Sequence, residues 1–191
     1  LVAAMVAEWA VGRGSTVTGT GLAGVGRSAV LDRAEGRGRS QGWKVARAGA
    51  SSVEGQWPYA PVLEALSALS RRHPTLLDGL ADTYREEIEQ ALTGRDVGWS
   101  GENSHQRLFV AAAELMRVAA AGPGLLLMVD DVHDADEASL RLLHYLARCA
   151  GDERVLLVLA YRNPAPPRVQ DATASMVARG GGHVVGLRPL P

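Results

Sequence analysis

Short unbroken runs of apolar and β-branched residues alternate along this chain with longer stretches whose apolar positions recur every three or four residues. The first pattern is that of strands buried on both faces, the second that of amphipathic helices. Their alternation predicts βαβ units on a parallel sheet. Leu1–Ala10 reads as an entering helix and Ser15–Thr18 as a first strand, followed by a glycine-rich turn in GTGLAGVG and a helix in SAVLDRAEGRGRSQG. Gly36 and Gly38 should fray the end of that helix, each costing on the order of 1 kcal/mol relative to alanine. Trp43–Ala48 is a second strand, followed by a loop with Glu54, Trp57 and Pro58.

Helices over Ala60–Ser70 and Leu76–Leu92 come next, and the polar stretch TGRDVGWSGENS separates them from a strong helix at Gln106–Ala120. There Leu108, Ala112, Leu115, Met116 and Ala119 form one buried face. Leu125–Val129 is a third strand ending in Asp130 and Asp131, and Asp136 is placed to cap a helix over Glu137–Ala150. Val155–Ala160 is a fourth strand running into Tyr161 and Arg162. A proline-rich loop and a short helix lead to a fifth strand at His183–Leu187.

Composition narrows the picture. At 191 residues, 47% hydrophobic and 21% charged, the chain suits one globular domain with a proper core. Net charge is −1 with no basic stripe, so this segment lacks the electrostatic footprint of a DNA-binding surface. Cys149 is the only cysteine, which excludes an internal disulfide and fits a reducing cytoplasm; within LRLLHYLARCA it reads as core filling. No run approaches the ~18 apolar residues of a membrane span. The chain starts at Leu1 rather than Met and stops at LRPLP, as a piece of a larger protein would. Lys44 is the only lysine beside 19 arginines, as a GC-rich genome would produce.

The chemistry concentrates in two places. Gly21–Ser28 reads GLAGVGRS and fits G-x-x-x-x-G-[K/R]-[S/T]. In such a loop glycines let the backbone N–H groups face a phosphate, the helix that follows adds its positive end, the basic residue reaches the terminal phosphates, and the Ser28 hydroxyl meets magnesium. Gly21, Leu22, Ala23, Gly24, Val25, Gly26, Arg27, Ser28 and Ala29 are the candidate phosphate contacts. The bland alternative is a flexible turn. LLLMVDD is the second element: its strand puts Asp130 at the carboxyl edge of the sheet, where it would hold Mg²⁺, with Asp131 orienting water.

Taken together, GLAGVGRSAVLD, SSVEGQWPYAPVLEAL, GLLLMVDDVHDADEASLRLL, RVLLVLAYR and VVGLRPL resemble the ATPase domain of large LuxR-type regulators, a branch of the signal-transduction P-loop ATPases. The resemblance covers nearly the whole chain. It implies that the fourth strand lies between the phosphate-loop strand and the Asp130 strand, which would aim Arg162 at the γ-phosphate as a sensor; a solvated arginine at a strand end is the alternative. It also implies an ATP-driven switch and a nucleotide-dependent oligomer. Helical, winged-helix, sensor and helix-turn-helix modules of the same polypeptide would be its partners, with no direct DNA contact by this segment and no membrane.

The family has lysine where Arg27 stands, and a planar guanidinium does not replace a compact ammonium. Weakened binding and more strongly impaired hydrolysis are expected. Leu22 replaces a residue that is often acidic or polar, and carries little weight. His133 would contact nucleotide, a neighbouring module, or merely its own loop; Glu54 would support water or magnesium, or be an ordinary loop carboxylate. His73, His105, His144 and His183 have no metal-ligand spacing, and Ser28 has no base placed to make it a nucleophile.

The expectation is therefore a single α/β domain over 1–191: a three-layer P-loop NTPase fold with a five-stranded, mostly parallel sheet and a helical insertion over 60–105. Its function would be an ATP/Mg²⁺ switch with slow hydrolysis, or else a pseudo-ATPase scaffold. A metabolic kinase would need an acceptor pocket and a basic lid, and the sequence displays neither. With one lysine, at Lys44, no guanine-reading N-K-x-D motif exists, so ATP is preferred.

Overall fold

Two strands of this chain are apolar up to their last residues, and the architecture follows from covering them. The computed structural model describes residues 14–21, 26–52, 57–93, 102–179 and 182–186, with the backbone alone for 102–104 and 179. Its elements are β1 (Ser15–Gly21), α1 (Arg27–Ser40), β2 (Lys44–Gly49), α2 (Ala60–Arg72), α3 (Thr75–Asp78), α4 (Asp82–Leu92) and α5 (Glu102–Ala120). β3 (Leu125–Asp130), a 3-10 turn (Val132–Asp134), α6 (Glu137–Ala150), β4 (Val155–Arg162), α7 (Pro167–Arg179) and β5 (His183–Gly186) follow. The five strands lie in the order β2-β3-β4-β1-β5, and every pairing among them is parallel.

Alternation along β3 explains the layers. Leu126 and Met128 point to one face, where they meet Leu31 and Ala34 of α1 and Trp43. Leu125, Leu127 and Val129 point to the other, larger core, which α2, α5, α6 and α7 supply. Because both faces are covered, all five residues Leu125–Val129 have no exposed surface. The stripe Leu108, Ala112, Leu115, Met116 and Ala119 of α5 is buried as its periodicity predicts. Asp136 caps α6, its carboxylate accepting from the Ser139 amide at 2.8 Å.

Several element boundaries differ from the sequence expectation, each for a tertiary reason. β1 runs past Thr18 to Gly21, because its ladder with β4 continues until Gly21 lies opposite Arg162. Correspondingly β4 takes in Tyr161 and Arg162, and the Asn163 amide donates to the Gly21 carbonyl at 3.2 Å. The glycines of α1 do not fray it. Gly38 is buried where the helix crosses the sheet, and a Cβ there would stand 3.1 Å from Leu126 Cδ2 and 3.4 Å from Val45 Cγ2.

The helix expected over Leu76–Leu92 is two, α3 and α4. Ala81 between them is extended (φ −62°, ψ 147°), so the chain leaves the helical path there and re-enters it at Asp82, while Leu76 and Leu80 are both buried. Arg85 ties the halves, its Nε donating to the Leu77 carbonyl at 3.0 Å. Lys44 is structural: its Nζ donates to the Ala119 and Ala121 carbonyls at 3.0 and 3.1 Å, at the negative end of α5. The entering helix expected over 1–10 lies outside the described residues.

Two glycines in one helix should respond oppositely to substitution. At Gly36 an added Cβ meets nothing within 4 Å, so Gly36→Ala is expected to stabilise by about 0.5–1 kcal/mol through helix propensity. Gly38→Val should destabilise by about 1–3 kcal/mol through overpacking against Leu126. Urea denaturation of the two variants checks both signs.

Candidate functional site

Parallel strands deliver their last residues to one rim, and here that rim collects charge. β3 ends in Asp130, β4 ends in Arg162, and β1 ends at Gly21 shortly before α1 begins at Arg27. Since β4 lies between β3 and β1, Arg162 stands between the two sequence motifs, as the resemblance implied. Gly26 is the N-cap of α1 at φ 83°, a backbone that favours glycine, and as glycine it offers no side chain to cap the first-turn amides. Ser28 and Ala29 are exposed on that turn. Leu22, Ala23, Gly24 and Val25 lie outside the described residues.

The centre of the rim is Asp131. Its Oδ1 accepts from Arg27 Nη2 at 3.3 Å, and Arg162 Nε and His133 Nδ1 stand 3.8 and 3.9 Å from the same oxygen. The backbone at Asp131 is left-handed (φ 50°, ψ 37°), a region Asp tolerates better than most residues. Two hydrogen bonds hold it there: its amide donates to Asp130 Oδ1 at 2.8 Å, and its carbonyl accepts from the Asp134 amide at 2.8 Å. Arg27 is only 12% exposed, and its Nη1 is buried with no hydrogen-bond partner among the described residues. Buried donors are seldom left without an acceptor.

Asp130 has a neighbour that the sequence reading missed. Arg47, on β2, reaches Asp130 Oδ2 at 3.9 Å, Glu35 Oε2 at 3.6 Å, and hydrogen-bonds Asp32. Partial burial alone would lower its pKa, but the Asp32 hydrogen bond and the surrounding carboxylates outweigh that, and the net direction is up. Arg47 thereby links the second and third turns of α1 to the acidic end of β3. The available signal was an arginine inside an otherwise apolar strand, with Asp32 and Glu35 one helical turn apart on the helix before it.

Other candidates are distributed less suggestively. His133 lies between Asp131 and Asp134, and its Nδ1 receives the Arg162 amide at a long 3.5 Å. Glu54 lies outside the described residues, and Trp57 is 72% exposed. Tyr59 next to it is buried, its amide donating to Asp136 Oδ1 at 3.3 Å and its hydroxyl 2.6 Å from His105 Nδ1. Among the described residues no group of histidine, cysteine or carboxylate side chains could hold a metal ion unaided. Burial pushes the Cys149 thiol above its ordinary pKa, the direction of an inert cysteine.

A parallel α/β sheet with a helix start, a carboxylate pair and an arginine on its carboxyl rim defines a P-loop NTPase-like fold. The chain belongs to the AAA ATPase domain family, whose profile matches residues 2–159. No curated protein sequence matches it. Among solved structures, the Aeropyrum pernix Orc1 protein in complex with DNA is similar over 100% of this chain and 44% of its own, at 19% identity and a TM-score of 0.51. A chain of Drosophila ORC bound to AT-rich DNA and Cdc6 is similar over 99% of this chain and 57% of its own, at 13% identity and a TM-score of 0.51. At such identities the likeness is one of fold, and this chain spans about half the length of those it matches. No described helix is long and apolar enough to cross a membrane.

If the Arg27–Asp131 contact carries energy, a double-mutant cycle with Arg27→Met and Asp131→Asn, read by denaturation, should give a coupling of about 1 kcal/mol. Additivity would show that the two charges do not interact. Cys149 should react with iodoacetamide at pH 8 more slowly than a free thiol. Its raised pKa leaves less thiolate at that pH, so the rate should climb only as pH rises above the usual thiol range.

Proposed function

We propose that this chain is an ATP- and Mg²⁺-binding switch domain with slow hydrolysis, working in the cytoplasm within a LuxR-type transcriptional regulator. The observation that carries the nucleotide reading is the meeting of Arg27, Asp130, Asp131 and Arg162 on one sheet edge, at the uncapped start of α1. The regulator context rests on the resemblance of the sequence motifs alone.

In this reading 1–191 forms one nucleotide-binding domain, and residues 60–105 are a helical insertion in it. The phosphates lie on the segment from Gly21 to Ala29, against the start of α1, with Arg27 Nη1 as a waiting donor. Asp130 and the Ser28 hydroxyl hold Mg²⁺, which when bound neutralises phosphate charge. Asp131 orients water, and Arg162 senses the terminal phosphate. The remaining modules of the regulator act as partners, and a nucleotide-dependent oligomer forms through the assembled polypeptide.

A second reading, the pseudo-ATPase scaffold, is favoured by one contact. Arg27, which replaces the lysine, is already paired with Asp131, so the basic group and the carboxylate satisfy each other without nucleotide. Nucleotide entry then has to exchange the Asp131 carboxylate for phosphate oxygens.

Calorimetric titration with ATP and a slowly hydrolysed analogue, with and without Mg²⁺, separates the readings. A switch binds in a Mg²⁺-dependent way, and Asp130→Ala lowers that affinity at least ~10-fold, about 1.4 kcal/mol. Arg27→Lys should raise affinity or turnover if the site is competent but detuned. No heat at millimolar nucleotide in either Arg27 form would give the scaffold the stronger claim.

A further inference from the structure

The surface of α5, α6 and α7 turned away from the sheet carries a groove of about 770 Å³ that the nucleotide reading leaves unused. Its floor is apolar, formed around Leu140, Ala172 and the tilted pair Phe109 and Tyr145, whose rings lie 5.5 Å apart. Its rim is basic, with Arg141, Arg148 and Arg168. Arg141 shares its charge with Glu137 on the same helix, and Arg168 donates weakly to the Ala135 carbonyl at 3.5 Å. Arg148 enters no ion pair among the described residues. A basic rim around an aromatic floor suits an acidic partner.

The same chain presents a matching acidic surface. On α4, Ile88 and Ala91 are buried against the larger core, which turns Asp82, Glu86 and Glu89 outward, all exposed and at i, i+4 and i+7. None of the three forms an ion pair among the described residues. The outward row of α6 is Arg141, His144 and Arg148, at i, i+3 and i+7. Laid antiparallel, the rows match position for position: Asp82 meets Arg148, Glu86 meets His144, and Glu89 meets Arg141. Each row spans seven residues, ~10.5 Å of helix. The acidic row points away from its own α5, where Ile88 and Ala91 are buried, and is open to solvent.

We propose that the groove between α6 and α7 receives the acidic face of α4 from a second copy of this chain. The inference does not depend on nucleotide binding. Exposed ion pairs are individually weak, so the contact is salt-sensitive and forms at high local concentration, as within an assembled parent protein.

Sedimentation equilibrium of the full chain at low ionic strength, over a wide concentration range, tests it. Self-association is expected, weakened at least ~10-fold by Arg141→Glu with Arg148→Glu, and equally by Asp82→Arg with Glu89→Arg. Mixing the two double variants should restore association, because each then offers the charge the other has lost. All four positions are on the surface, and circular dichroism checks that each variant is folded. A monomer at every concentration would overturn the proposal. So would a mixture that stays monomeric, or an α4 variant that associates like the unsubstituted chain; the last result would mean that a face other than α4 mediates the association.

Discussion

The structure depends on covering a pair of strands that are apolar until their last, charged residues. β3 and β4 are adjacent and parallel, and neither can tolerate water on either face. Helix α1 closes one side and α2, α5, α6 and α7 the other, which places the chain's two hydrophobic clusters on opposite sides of one sheet. Everything polar that follows these strands is forced to the rim. The charged edge is thus a by-product of core burial, and its position needs no interaction of its own.

At that rim the decisive group is a single carboxylate. Asp131 faces two guanidiniums and an imidazole, while its own backbone is held by Asp130 and Asp134. Arg27 enters this cluster because α1 starts where β1 ends and because its fork is long enough to cross to the β3 side. The guanidinium at position 27 therefore does more than place a positive charge at the start of α1. It creates a resident partner for Asp131, and any anion approaching the start of α1 meets two cations already engaged. Arg47 adds a second link, from α1 through Asp32 and Glu35 to Asp130, so that α1 and the end of β3 are electrostatically joined on both sides.

Much of this was legible from residue types alone. The unbroken apolarity of Leu125–Val129 and Val155–Ala160 called for a parallel sheet, and the stripe on α5 called for one buried face. Asp136 as a cap was readable because a short acceptor immediately preceding an apolar periodicity has few other uses. Local rules failed where distant contacts outweighed them. Gly38 remains helical where α1 packs closely on Leu126 and Val45 of the sheet. Gly19 and Gly21 remain in a strand because β4 continues beside them. The break at Ala81, where the backbone is extended between Leu80 and α4, is not revealed by helix propensity.

The sequence by itself determined the alternation of elements, the class of sheet, and which residue types would stand at strand ends and helix starts. These follow from the periodicity of burial and from local backbone chemistry, which act over a few residues. Tertiary structure alone decided that Arg27 pairs with Asp131 across 104 positions of chain and that Arg47 joins Asp32, Glu35 and Asp130. It also decided that α6 and α7 enclose a basic groove while α4 turns its acids outward. Those outcomes depend on strand order and on the angles at which helices cross the sheet. Both are set by packing the whole core, and no stretch of sequence carries them alone.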